Sequence, residues 1–208
     1  MPPFASKTLG WVLGRGVARA FGFSWRVPDD DYAAFRAGAL SRGQLVDRIR
    51  AALGTRQADA TLDELRVGRF ARALPRRCTH IVATTNWNTL LDRALEQHGV
   101  RVLHLNGSLD DTEGPLLTEL DRRDDAVQPP LAALASAHAC VLAGLSVESE
   151  LDRDLLAQLG AIREWYVVNP DERAAHRICA MLPGRSTLIP VAFERWVDAG
   201  LPGLEQGG

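Results

Sequence analysis

The side chains best suited to handling a ligand lie in two short strings, Thr84-Thr85-Asn86-Trp87-Asn88 and Asn106-Gly107-Ser108. Each string follows an apolar run that predicts a β-strand, and an open parallel sheet places its ligand at the carboxyl ends of its strands. Carboxamides and hydroxyls can orient a sugar hydroxyl, an amide or a water, but they do not exchange a proton near neutral pH. The residues themselves therefore predict binding and orientation of a polar small molecule.

Two of these positions also have a structural interpretation. Asn86 can reach into a cleft and bond a ribose hydroxyl or a carboxamide, or it can cap the following helix, because asparagine is a favoured N-cap. His104 lies two residues before Asn106 on the same predicted strand, so alternation puts both on one side. A histidine in such a strand is more often packed and hydrogen-bonded than catalytic.

A glycine turn, Gly14-Arg15-Gly16, follows the predicted strand 9–13 and precedes a predicted helix. Its backbone N–H groups could approach a phosphate, helped by the positive end of the helix, or the turn could merely connect the two elements. Arg19 stands where the dinucleotide fingerprint has its third glycine, and no acidic residue stands about twenty residues on at the end of a second strand. The pattern therefore disfavours an ordinary nicotinamide dehydrogenase.

Further polar strand ends occur at Gly144-Leu145-Ser146 and at Asn169-Pro170-Asp171. Together with the glycine turn and the two strings above, they make five polar strand ends. A shared binding cleft explains this agreement better than chance does.

The elements that position these strings predict an α/β fold with a three-layer, Rossmann-like parallel sheet. Strands are predicted at 78–83, 100–105, 139–142, 165–168 and 186–191, with crossover helices at 88–98 and 148–162. Residues 29–74 form a helical insertion, and residues 110–130 form an irregular surface excursion broken by prolines. We expect a single domain over 1–204 and a short tail at 205–208.

Composition narrows the function classes. The chain has 208 residues, of which 46% are hydrophobic, and its 24 basic and 26 acidic side chains leave a net charge of −2. This charge balance provides no positive electrostatic field that would attract the phosphate backbone of a nucleic acid, so no nucleic-acid partner is expected. The three cysteines stand far apart in sequence, which predicts no zinc module, no disulfide framework and a reducing, cytoplasmic setting. No apolar stretch reaches membrane-spanning length, so no membrane partner is expected.

Taken in order, the strings resemble the sirtuin-like family of NAD-binding proteins, and the resemblance runs from about residue 9 to 190. It is carried by the glycine turn with Phe21-Gly22-Phe23-Ser24-Trp25, then TTNWN, LNGS, GLS and VNP. The resemblance implies NAD as cofactor and catalytic positions at Asn86 and Asn106. If the chain is an active hydrolase, either Asn86, Asn106 and water suffice, or His104 acts as a substitute base. The cofactor-binding residues that it implies are Gly14, Arg15, Gly16, Val17, Thr85, Asn86, Asn88, Gly144, Leu145, Ser146, Asn169 and Asp171.

Three departures from the family pattern affect this reading. Arg15 replaces a small residue and could crowd a pyrophosphate or pair with it. Asn88 replaces an acid that helps to seat nicotinamide, and Asn106 replaces the catalytic histidine. A neutral carboxamide cannot take a proton, and losing a general base costs about a hundredfold to ten-thousandfold in rate.

Without a zinc module, the chain resembles the zinc-free bacterial branch, where the family implication is NAD binding or hydrolysis, often in phage defence. The favoured hypothesis is a domain that binds NAD or an ADP-ribose derivative with weak or absent catalysis, in effect a pseudoenzyme. The second is an active NAD glycohydrolase, and the third is a non-binding remnant within a protein assembly. A protein partner or homo-oligomer is left open.

Overall fold

The structure is a computed structural model that describes residues 7–14, 16–17, 29–54, 60–76, 78–87, 89–111, 116, 128–146 and 150–204. The predictions for Arg15, Asn88, the segment 21–25 and the tail 205–208 lie outside these residues. The strands are β1 (Thr8–Leu13), β2 (Thr79–Thr84), β3 (Val102–His104), β4 (Ala139–Ala143), β5 (Glu164–Val168) and β6 (Arg185–Ile189). The helices are α1 (Asp29–Arg36), α2 (Arg42–Gly54), α3 (Ala60–Ala73), α4 (Leu90–Glu96), α5 (Gln128–Ala135), α6 (Glu150–Gln158), α7 (Glu172–Met181) and α8 (Phe193–Asp198).

The six strands form one sheet in the order β3-β2-β1-β4-β5-β6, and every neighbouring pair is parallel. This is the doubly wound order, in which the chain starts at the centre, moves outward to β3 and then returns to the other half. All five residues of β4 are buried. A continuous apolar run of this kind is typical of a parallel strand covered on both faces. The predicted fold class is confirmed.

Helices cover both faces of the sheet. On one face, α3, α4 and α8 pack around Trp11, whose ring centroid lies 5.1 Å from that of Phe70 and 6.2 Å from that of Trp196. On the other face, α5, α6 and α7 bury Leu134, Leu155 and other aliphatic side chains against the sheet. The result is a three-layer arrangement with two separate cores.

The predicted insertion at 29–74 divides into two parts. Helix α3 belongs to the layer that covers the sheet, whereas α1 and α2 form a third small core at the carboxyl ends of β2 and β3. In that core Tyr32 and Leu45 pack with Leu109, and the Tyr32 ring lies 6.1 Å from that of Trp87. Helices α1 and α2 therefore lie beside the strand ends that carry the polar strings.

Several predicted boundaries need correction. Pro129 and Pro130 begin α5 instead of ending the irregular excursion, because proline is tolerated in a first helical turn, where its missing N–H has no partner to lose. The excursion is also not confined to the surface, since Leu116 is buried and its carbonyl accepts a bond from the Tyr32 hydroxyl. Strand β6 ends at Ile189, before Pro190, which cannot donate to a sheet ladder.

The two central strands meet closely at their carboxyl ends. The Gly14 nitrogen donates to the Ala143 carbonyl at 2.8 Å, and the Gly16 nitrogen donates to the Gly144 carbonyl at 2.9 Å. Gly144 has φ of +69°, and a Cβ there would overlap the backbone nitrogen of Val17. Only glycine combines a positive φ with room for this close backbone approach. Gly144, together with Gly14 and Gly16, therefore sets the spacing between the loops after β1 and β4.

The close approach at Gly144 can be tested by comparing alanine substitutions at Gly144 and at Gly38, a glycine of similar φ in open space. We expect Gly38→Ala, at φ of +73° with no atom within 4 Å of the new Cβ, to cost only the left-handed strain of about 1–2 kcal/mol. Gly144→Ala adds backbone overlap, which should raise the loss by about a further 1–3 kcal/mol. Urea unfolding followed by tryptophan fluorescence measures both, and equal losses would show that the close approach is not needed.

Candidate functional site

The site is organised by Thr84, the last residue of β2, whose side chain is fully buried. Its hydroxyl donates to the Leu13 carbonyl at 3.0 Å and accepts from the backbone nitrogen of Asn86 at 3.1 Å and from Asn86 Nδ2 at 3.0 Å. The Thr85 nitrogen also donates to the Leu13 carbonyl. The ends of β1 and β2 are therefore joined, with the Asn86 carboxamide held at the junction.

Asn86 does not cap the following helix. Helix α4 starts at Leu90, and its N-cap position is held by Thr89, which makes no side-chain capping bond. The capping interpretation of Asn86 is therefore wrong, because the chain needs three more residues before it turns into the helix. Asn86 is half-buried beside the strand ends, where its position suits contact with a ligand.

Asn106 reaches the same loop from the neighbouring strand. It is 8% exposed, and its Nδ2 donates to the Thr85 carbonyl at 3.3 Å. Gly107 follows with φ of +86°, and the Ser108 carbonyl accepts from Arg42 of α2 at 3.0 Å. The sequence-predicted residues Thr85, Asn86 and Asn106 are thus brought together.

His104 occupies a different environment. Strand β3 ends at this residue and 105–106 form a turn, so the predicted alternation does not extend to Asn106. The His104 Nδ1 lies 2.8 Å from the Asn86 carbonyl, and its Nε2 lies 2.9 Å from Asp92 Oδ2 on α4. Both partners are acceptors, so the ring satisfies both bonds only as an imidazolium.

The surroundings of His104 favour that charged form. Burial lowers the pKa of the ring, but the hydrogen bond and charge of Asp92, the Asn86 carbonyl and the charge of Asp110 together raise the pKa above its usual 6.5. An imidazolium has no lone pair with which to accept a proton. As long as the ring holds both bonds as an imidazolium, His104 cannot serve as a base.

The glycine turn uses its backbone donors within the protein. Besides the bonds of Gly14 and Gly16 to the β4 end, the Val17 nitrogen donates to the Gly14 carbonyl at 3.0 Å. Gly16 is exposed and Val17 is buried. An anion at this turn would therefore have to replace one of these bonds or be held by other groups.

The remaining predicted residues have mixed placements. Leu145 is buried in the core on the α5–α7 face, while Ser146 is exposed at the carboxyl edge. Asn169 accepts from the Asp171 nitrogen at 2.9 Å, and Asp171 caps α7 by accepting from the nitrogens of Arg173 and Ala174. Asn169 and Asp171 thus serve the local backbone at the end of β5, which β4 separates from the junction of β1 and β2.

Sequence reasoning missed three contributors to the site. Thr84 is assigned no role of its own from the sequence. A polar side chain that ends a buried apolar run is nevertheless a recognisable signal for a buried hydrogen bond. Asp92 gave no signal, because its role depends on α4 packing beside β3. Arg50 of α2 donates to Asp110 at 3.1 Å, and Asp110 accepts from Thr89 at 2.8 Å, which depends on α2 docking at the strand ends.

Within the described parts of the chain, no group of three or more histidine, cysteine, aspartate or glutamate side chains is placed to hold a metal ion. In the same residues, no helix has the length and apolar character needed to cross a bilayer.

The His104–Asp92 pair makes a pH-dependent contribution to stability. Because the folded-state pKa of His104 is raised, the contribution should be complete below about pH 6.5 and should disappear as the pH rises through the folded-state value. We expect Asp92→Asn to cost roughly 1–2 kcal/mol at pH 5.5 and much less at pH 9. Urea unfolding across this range measures the difference, and a loss independent of pH would contradict the assignment.

Comparison with known proteins comes from structure alone, since no protein-family model and no curated protein matches the chain. A structure determined to explain sirtuin substrate affinity aligns over 97% of this chain and 94% of its own, with a TM-score of 0.55 and 14% identity. A structure on the mechanism and regulation of Sir2 enzymes aligns over 94% and 91%, with a TM-score of 0.53 and 15% identity. A mutant Sir2 homologue in complex with ADP-ribose aligns over 94% and 90%, with a TM-score of 0.53 and 17% identity. The chain therefore has the sirtuin-like fold.

Proposed function

We propose that this chain binds NAD or an ADP-ribose derivative at the carboxyl ends of β1, β2, β3 and β4, and that it turns the ligand over weakly or not at all. The observation that carries the proposal is the hydrogen-bonded junction in which Thr84 joins the end of β1 to Asn86, and Asn106 joins the same loop. The junction lies beside the point between β1 and β4 where the strand order reverses, which is where doubly wound sheets bind nucleotides. A structural neighbour that holds ADP-ribose adds support at the level of ligand class.

The polar side chains fit the ribose and carboxamide half of such a ligand. Asn86 and Asn106 supply carboxamides that can both donate and accept, and Ser146 is an exposed hydroxyl on the loop after β4. These groups match a ligand with hydroxyls and an amide better than an apolar one. In NAD, the bond that can be cleaved is the one that joins nicotinamide to ribose.

The pyrophosphate half needs another source of positive charge. The nitrogens of Gly14, Gly16 and Val17 already donate to carbonyls, so these three N–H groups do not form a ready cradle for a phosphate. Arg15 stands between the two glycines in sequence, and we assign the phosphate contact to its guanidinium, which suits paired phosphate oxygens.

Weak turnover follows from proton chemistry. When the bond between nicotinamide and ribose breaks and water attacks, the water must lose a proton. Asn106 has no basic site near neutral pH, and the ring of His104 makes both of its hydrogen bonds only as an imidazolium, which has no lone pair to accept another proton. Orientation by Asn86 and Asn106 remains, so slow NAD hydrolysis is the alternative to simple binding.

Calorimetric titration with NAD and ADP-ribose tests the binding proposal. We expect saturable binding that weakens about tenfold or more in Arg15→Gln, because a charge-assisted contact contributes about 1.5–3 kcal/mol. Arg195→Gln, an exposed change on α8, should bind as the unaltered chain does. Tighter binding by Arg15→Gln would show that the guanidinium obstructs the ligand, and no heat at millimolar ligand for any form would favour the non-binding remnant.

Restoring a base tests the explanation for weak turnover. We expect Asn106→His to raise NAD cleavage by about a hundredfold or more, with Asn88→Asp as a further gain, when nicotinamide release is followed by chromatography. Asn106→Gln is the control, since it keeps a carboxamide and supplies no base. Rapid cleavage by the unaltered chain would establish the glycohydrolase, and no gain in a variant that still binds NAD would show that the missing base is not the limiting defect.

A further inference from the structure

Among the described residues, two neighbours hold Asn86 at three of its atoms. Thr84 Oγ1 accepts from its backbone nitrogen and from its Nδ2, while His104 Nδ1 lies 2.8 Å from its carbonyl oxygen. The Thr84 hydroxyl does not titrate in the range where proteins are folded, so its two bonds are constant. The bond to His104 is the variable one, because it depends on whether Nδ1 carries a proton.

Loss of one proton from His104 forces a choice between its two partners. A neutral imidazole has a single N–H, which can donate to the Asn86 carbonyl or to Asp92, but not to both. The carboxylate of Asp92 is the stronger acceptor because it is charged, and both of its oxygens lie within 3.2 Å of Nε2. The remaining proton therefore stays on Nε2, and the Nδ1 lone pair then faces the Asn86 carbonyl oxygen.

The charges around His104 come from each element that packs against it. Asp92 contacts the ring from α4, and Asp110 acts through space from the loop after β3. Asp110 is itself paired with Arg50 of α2 at 3.1 Å and lies in the field of Arg93 on α4. The side chain of His104 is only 11% exposed. Asp92 is therefore the charge that chiefly decides the protonation of the ring.

We propose that His104 is a positioning residue whose charge state fixes the orientation of Asn86, and thereby sets the affinity of the cleft for an ADP-ribosyl ligand. With the ring charged, the Asn86 backbone is clamped from both sides and its carboxamide is presented in one orientation. With the ring neutral, repulsion between Nδ1 and the carbonyl oxygen displaces that orientation. The link to affinity rests on the proposed function, whereas the link between His104 and Asn86 does not.

The first arm of the experiment needs no ligand. NMR of the full chain follows the His104 ring protons and the backbone and side-chain amide signals of Asn86 across the pH range. We expect the Asn86 signals to move with the same midpoint as His104, and Asp92→Asn to shift both midpoints down together. Asn86 signals that ignore the titration of His104 would overturn the proposal.

The second arm measures Kd for NAD and for ADP-ribose by calorimetry over the same range. Coupling between a titrating residue and a binding site typically changes affinity by about fivefold or more, and we expect at least that weakening above the His104 midpoint. His104→Gln retains two N–H groups at every pH, so it should bind with an affinity that does not vary with pH. Affinity of the unaltered chain that is independent of pH would overturn the link to binding.

Two controls separate positioning from general stability. Asp154→Asn removes an exposed carboxylate from α6, on the opposite face of the sheet, and should leave both midpoints in place. His80→Gln alters a second part-buried histidine and should lower stability without moving the midpoint of the Kd profile. If neither nucleotide binds at any pH while Asn86 still follows His104, the proposed function fails and the positioning role of His104 stands.

Discussion

The buried hydroxyl of Thr84 is the interaction on which the arrangement of the strand ends depends. A hydroxyl with no exposure to water must satisfy its donor and acceptor capacity inside the protein, and Thr84 does so by bonding Leu13 on one side and Asn86 on the other. Removing any of these partners would leave a polar group unpaired in the interior. The end of β1 and the loop after β2 are therefore locked in one relative position.

A second constraint acts on the other side of β1. The glycines at the ends of β1 and β4 allow two backbones to approach within hydrogen-bond distance, and the N–H groups of Gly14 and Gly16 are used in this contact. The close contact that makes the strand ends compact thus keeps these two N–H groups engaged within the protein. Under the proposed function, recognition of the ligand therefore falls largely to side chains, with Asn86 and Asn106 among them.

The sequence predicted the sheet well because its signals are local. The apolar run Ala139–Ala143 and its turn at Gly144 need no distant information, and neither does the alternation of strands with amphipathic helices after Pro75. Predictions failed where a side chain has two local options that only tertiary contacts decide between. From the sequence, Asn86 fits a helix cap and a ligand contact equally well, and only its bond to Thr84 in the folded chain distinguishes the two. The placement of α1 and α2 depends in the same way on a tertiary contact, the packing of Tyr32 against Trp87.

His80 and His104 are part-buried histidines of the sheet whose pKa values are shifted in opposite directions by their surroundings. His80 accepts from the indole N–H of Trp11 at Nδ1 and donates from Nε2 to the Pro75 carbonyl, an arrangement that only the neutral ring can satisfy. Burial lowers the pKa of His80, and the bond to Pro75 only partly offsets this effect. His104 is also buried, yet its two acceptor partners raise its pKa.

The stability that depends on His80 is therefore lost as the pH falls below the unfolded-state pKa of that ring, and the stability that depends on His104 is lost as the pH rises. The two contributions to stability therefore change with pH in opposite directions. The proposed response of Asn86 to deprotonation of His104 falls at high pH, where the neutral His80 ring keeps its bonds to Trp11 and Pro75.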